Sequence, residues 1–127
     1  MRPTIVLLAI TFLALGCNRQ SRPTEKYFSG EPVKHWLDSL QSSDPKVRKK
    51  SVDVLGNVGP SDPAVIPALI AAVKDKDASV RDAAVLALSK IGPPAAEAAT
   101  VLQEATRDPN ATVRDHAAKA LERVLSK

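Results

Sequence analysis

Cysteine is nearly absent: the single one, Cys17, excludes an internal disulfide framework. Aromatic residues are as scarce, since Phe12, Tyr27, Phe28 and Trp36 are the full set, which leaves little to stack on nucleobases or flat cofactors. Histidine is limited to His35 and His116, so no pair of ligands falls at a metal-binding spacing. No glycine-rich phosphate loop occurs, and no serine has a histidine and an acid in an arrangement that could activate it. These gaps argue against an enzyme and predict no metal and no cofactor. The formal charge of +4 is spread over interleaved acids and bases, so no nucleic-acid partner is expected.

Long apolar runs are missing too. The longest, Ile5 to Leu15, is broken by Thr11 and is about half the roughly 20 residues a membrane-spanning helix needs. With Met1-Arg2 before it and small residues after it, it has the outline of an export signal. Leu13-Ala14-Leu15-Gly16-Cys17 resembles the lipobox of bacterial lipoproteins, in which the cysteine becomes the first mature residue and carries the lipid. Ala14 stands where that motif usually has leucine, and Ala14-x-Gly16 also fits an ordinary signal-peptidase site. Both readings cut after Gly16; one gives lipidation at Cys17, the other a soluble secreted protein. The resemblance implies export and a lipid anchor on the cell envelope. Asn18 in place of an aspartate after the cysteine implies the outer membrane, facing the periplasm, in a diderm bacterium.

What the chain has is one stretch written three times. Asp44-Pro45-Lys46-Val47-Arg48, Asp77-Ala78-Ser79-Val80-Arg81 and Asn110-Ala111-Thr112-Val113-Arg114 follow one another at a step of 33 residues. Each opens an amphipathic helix, with Asp44, Asp77 and Asn110 as N-caps and Pro45 at the first helical position. Val47, Ser51, Val54, Leu55 and Val58 share one face, repeated by Val80, Ala84, Ala87, Leu88 and Ile91 and by Val113, Ala117, Ala120, Leu121 and Val124. Gly59-Pro60 and Gly92-Pro93 end the first two, glycine as a left-handed cap. A partner helix precedes each: Trp36, Leu69 and Leu102 are equivalent, as are Leu40, Val73 and Thr106. The first of these is predicted over Glu31–Gln41 and the third over Pro94–Arg107.

A fixed period of this length means stacked helical hairpins. The predicted fold is all-α, a short right-handed α-solenoid of three helix-turn-helix units. The organisation is a signal peptide over 1–16, a lipidated cysteine and flexible tether over 17–30, and repeats over about 31–60, 61–93 and 94–127. Tyr27-Phe28 in the tether is placed as a flap over the open end of the stack.

Asp-Pro-Lys-Val-Arg (44–48), with Val-Leu-Gly-Asn-Val-Gly-Pro (54–60) and Val-Arg-Asp-Ala-Ala-Val-Leu-Ala-Leu-Ser-Lys-Ile-Gly-Pro (80–93), resembles HEAT repeats of the short kind also found in phycobilisome lyases. The period is shorter than the roughly 40–47 residues of full HEAT units. The resemblance implies an inter-repeat ladder in which Arg48, Arg81 and Arg114 meet Asp44 and Asp77 of neighbouring units. The alternative for the arginine column is a phosphate-binding stripe.

Beside the apolar face runs a more variable flank of Lys46, Lys50, Asp53 and Asn57, then Ala83, Leu86 and Lys90, then His116, Lys119 and Arg123. Its basic members, Lys46, Lys50, Lys90, His116, Lys119 and Arg123, form the candidate binding face, with an acidic protein segment, a cell-wall polyanion or lipid headgroups as occupants and a merely solvated face as the plain reading. Function is expected to be that of a non-catalytic interaction or scaffold module for an unknown protein partner. The alternatives are an enzyme subunit similar to phycobilisome lyases and polyanion binding.

Overall fold

The computed structural model describes residues 26–127. The expected export signal, Cys17 and the part of the expected tether up to Glu25 lie outside the described residues. A two-stranded hairpin, β1 (Tyr27–Phe28) and β2 (Glu31–Pro32), leads into α1 (Val33–Ser39), α2 (Pro45–Val58), α3 (Val65–Ala72), α4 (Ala78–Ile91), α5 (Ala99–Ala105) and α6 (Ala111–Val124). The fold is an all-α solenoid of three helical hairpins.

The long helices start where their caps stand. Asp44 Oδ1 accepts from the Lys46 amide at 2.8 Å, Asp77 Oδ1 from Ser79 and Val80 at 2.9 and 3.3 Å, and Asn110 Oδ1 from Thr112 and Val113 at 2.9 and 3.2 Å. Each supplies an acceptor to amides that have no carbonyl inside the helix. At the other end Gly59 and Gly92 take φ of 58° and 72°, as the sequence demands, but ψ of −143° and −139°. The chain therefore leaves extended rather than left-handed helical, which sends Pro60 and Pro93 into short 3-10 turns. The second of these, Pro93–Ala98, occupies the beginning of the helix expected over Pro94–Arg107, and Ala95, with φ of −98° and ψ of 24°, interrupts the helical course there.

Four other expectations change at the amino-terminal end. Lys26–Gly30 is ordered rather than a tether: Ser29 and Gly30 have φ of 53° and 82°, the paired positive values of a two-residue hairpin turn. Consequently α1 begins at Val33, and Pro32 is its cap. Tyr27 remains 64% exposed and is no flap, while Phe28 is 37% exposed and its carbonyl accepts from the buried Trp36 Nε1 at 3.0 Å. Val47 is 40% exposed although Val80 and Val113 are buried, since among the described residues no unit stacks ahead of α2.

The core runs through all three units without interruption, with Leu55, Leu69, Leu88 and Leu102 fully enclosed. The second helices pack closely, α2 on α4 and α4 on α6, whereas the first helices scarcely touch one another. The stack therefore curves, with α2, α4 and α6 lining its inner side. Gly56 makes the closest approach possible, since a Cβ there would lie 2.8 Å from Ala87 Cβ. Gly56→Ala forces α2 and α4 apart and should lower stability by about 1–3 kcal/mol in urea unfolding.

Candidate functional site

Two sets of polar residues stand on opposite margins of the long helices. The first is at their amino-terminal ends. Arg48 Nε and Nη2 donate to Asp75 Oδ2 and Oδ1 at 2.8 and 3.0 Å, and Arg81 does the same to Asp108 at 2.8 and 3.0 Å. The remaining guanidinium nitrogen turns back to its own loop, Arg48 Nη1 to the carbonyls of Ser42 and Ser43 and Arg81 Nη1 to those of Asp75 and Lys76. Each arginine thus fastens its own helical hairpin while gripping the loop of the next unit. Arg48 is only 5% exposed, and each of its three guanidinium nitrogens is already engaged, which leaves no fork for a phosphate.

The acids of this ladder are Asp75 and Asp108, in place of the expected Asp44 and Asp77. The latter two are occupied as N-caps, two residues further along, and their carboxylates point into their own helices. The signal was present in the register: Ser42, Asp75 and Asp108 recur at the same step, and each receives the amide of the cap residue that follows it. Burial pushes the Asp75 and Asp108 carboxyls up, but the arginine hydrogen bonds, the cap-residue amides and the arginine charges together hold both below the ordinary carboxylate range. Asp77 is also held low, first by the Ser79 hydroxyl. Arg114 has no carboxylate partner among the described residues and binds only the carbonyls of Asp108 and Pro109, at 2.9 and 3.0 Å.

The second set lies on the inner surface of α2, α4 and α6. Lys46 and Lys50 are exposed on α2, and Lys50 Nζ stands 5.5 Å from the centre of the Trp36 ring, a cation–π contact. Lys49 pairs with Asp53 at 2.8 Å. On α4, Lys90 Nζ donates to Asn57 Oδ1 across the helix junction. His116 Nδ1 on α6 meets Asp82 Oδ1 at 2.7 Å, while Lys119 and Arg123 are exposed beside Glu122. Ala83, expected on this flank, is buried between the helices.

All of this is the stacking of one helical unit, and the units match a known family: the model of HEAT repeats covers residues 33–122. The chain belongs to the HEAT-repeat family. Solved structures agree on the solenoid. A crystal structure of an engineered protein from the Northeast Structural Genomics Consortium aligns at 25% identity with a TM-score of 0.61, over 72% of this chain and 44% of that one. The complex of CpcE and CpcF of phycocyanin lyase from Nostoc sp. aligns at 29% identity with a TM-score of 0.66, over 80% of this chain and 42% of that one. The HEAT chain described here spans less than half the length of either. No curated protein matches it.

In this HEAT stack the six basic candidates do not form one patch. Lys46 and Lys50 are neighbours at the α2 end, Lys119 and Arg123 at the α6 end, and Lys90 and His116 are engaged by Asn57 and Asp82. His35 is exposed, against the edge of Trp36 at 5.1 Å between ring centres, far in sequence from His116. Among the described residues no three His, Cys, Asp or Glu side chains gather to hold a metal, and no helix is long and apolar enough to cross a membrane. Sequence reasoning missed the Trp36–Lys50 contact and the His116–Asp82 pair, since both join residues on different helices.

Proposed function

We propose that this HEAT-repeat chain is a non-catalytic protein-interaction module held on the bacterial cell envelope by a lipid on Cys17. The observation that carries the interaction part is the division of the solenoid's polar residues. Arg48, Arg81, Asp75 and Asp108 are consumed in joining units, and the α2–α4–α6 surface is left as a curved face with free cations. A scaffold of this kind presents a surface and implies no chemistry of its own.

The anchoring part rests on the Leu13–Cys17 segment. Acyl chains contribute about 0.8 kcal/mol per buried methylene, so more than one chain on Cys17 holds the protein on the bilayer permanently. Palmitate labelling followed by membrane fractionation tests it. The wild-type chain is expected in the membrane fraction carrying label, and Cys17→Ala is expected to lose both. An unlabelled chain with a variant that stays on the membrane refutes the anchor.

The likeness to the CpcE–CpcF complex supports an enzyme-subunit reading less well. Three short hairpins give too little inner surface to enclose a large chromophore, and an exported protein would not meet cytoplasmic acceptors. A coloured adduct on co-expression with bilin and an acceptor protein would favour it.

A further inference from the structure

The inner surface carries an apolar feature that none of the roles above uses. Leu86, at the middle of α4, is 45% exposed in the centre of the curved face. It borders a groove of about 250 Å³ between α2 and α4 whose floor is Gly56, Ala83 and Ala87 and whose rim is Asp53, Asn57 and Lys90. The groove exists because its floor residues are the smallest available and the helices are pressed together at Gly56. Its volume is below the roughly 300–1,000 Å³ of small-molecule sites, so it suits one aliphatic side chain.

The charge around it is uneven. On the α2 side stand Lys46, Lys49 and Lys50, of which, among the described residues, only Lys49 has a carboxylate partner, Asp53. On the far side Asp82 is engaged by His116, Asp115 is exposed, and Lys119 and Arg123 are offset by Glu122. A net positive corner therefore lies a few residues along α2 from the groove. With about 1.5 Å rise per residue along α2 and half of an 8–10 Å helix spacing across, the distance is on the order of 9 Å to Lys50 and 14 Å to Lys46, or about three to four residues of extended chain.

We infer that the α2–α4 inner groove docks an acidic segment of a partner protein, with one aliphatic side chain seated against Leu86 and carboxylates about three to four residues away on Lys50 and Lys46. This rests on the interaction-module reading and specifies its ligand. The apolar anchor supplies a small desolvated hot spot, and the lysines supply orientation and rate of encounter. A bare polyanion or a lipid headgroup would use the lysines and ignore Leu86, so both differ from the proposal in a measurable way.

The test selects short random peptides on the full chain and measures their affinities by anisotropy, with the fluorescence of the lone Trp36 under Lys50 as a second readout. Selected peptides should share an aliphatic residue with acids about three to four positions away. Leu86→Glu and Lys50→Glu should each weaken them by about tenfold or more, whereas Lys119→Glu, the same charge change on α6, should weaken them less than about threefold. Circular dichroism of each exposed variant checks that the fold is unchanged. Equal losses for Lys50→Glu and Lys119→Glu, or selected peptides with acids but no apolar residue, mean simple charge attraction and overturn the inference. Peptides that bind undiminished by Leu86→Glu and Lys50→Glu overturn it while leaving an interaction module with another surface. A library that yields no binder counts against both.

Discussion

Leu88→Ala is expected to destabilise the domain by about 3–5 kcal/mol, the upper part of the range for truncating a fully buried leucine. Leu88 is fully enclosed in α4, the helix that packs on both α2 and α6, so the cavity opens at the unit that, among the three described, has neighbours on both sides. In a quasi-one-dimensional stack the central unit contributes its own stability and two interfaces, and a terminal unit contributes one. The equivalent Leu121 is half-buried in α6, so Leu121→Ala should cost clearly less. For a domain of this size about 4–8 °C of melting temperature accompanies each kcal/mol, and thermal unfolding of the two variants side by side measures the difference. Equal losses would show that the three units do not share one core.

Asp75→Ala should cost about 3–5 kcal/mol as well, for an electrostatic reason. The substitution strands the buried Arg48 with its Nε and Nη2 donors unpaired and also removes the acceptor for the Asp77 amide. Arg114→Ala removes a guanidinium in the same register but without a carboxylate partner, and is expected to cost less than about 1 kcal/mol. Chemical denaturation of both variants separates a ladder from a row of solvated arginines.

The ladder also sets the response to acid. Asp75 and Asp108 have folded-state affinities for protons below the usual carboxylate range, so the unfolded chain binds protons first as the pH falls. Their contribution is complete above the unfolded value near ~3.9 and is lost as the pH drops through the lower folded values. Melting temperature should be level from neutral pH to about pH 5 and fall steeply below about pH 4. Asp75→Asn, which cannot titrate, should start lower and fall less.

How far such features are legible in the primary structure depends on how far apart their parts lie. Asp44, Asp77 and Asn110 cap helices through amides two or three residues on, so the cap and its reach can be read from adjacent letters. The same holds for the glycines that end α2 and α4 and for the columns of Leu55, Leu88 and Leu121. The ladder was legible only in half. The arginine column stands out at its fixed step, but two aspartates lie near each candidate contact, Asp75 and Asp77. The choice between them depends on the offset between neighbouring units, which no local rule contains. Because the cap already holds Asp77, the free carboxylate is the one two residues earlier.

The candidate binding face shows the same division. Its membership was a helical-wheel argument, and a wheel cannot say which basic residues are already held by another unit. Lys90 reaches Asn57 and His116 reaches Asp82, each across a helix junction, and only the curvature of the stack brings them together. Val47 and Leu86 differ from the columns around them for a comparable reason: one has no preceding unit among the described residues and the other faces the inner surface.

The sequence by itself determined the period, the all-α hairpin unit, the starts of the three long helices, the stops of α2 and α4 and the buried columns, because these follow from hydrogen bonds and side-chain spacing within a turn or two of helix. Only the tertiary structure decided which acids complete the ladder, that Lys26–Pro32 forms a hairpin tied to Trp36, which lysines remain free, and that a small groove opens beside Leu86. Those depend on the distance and angle between units, and that geometry comes from the sum of contacts along the whole stack, such as the approach of Gly56 to Ala87.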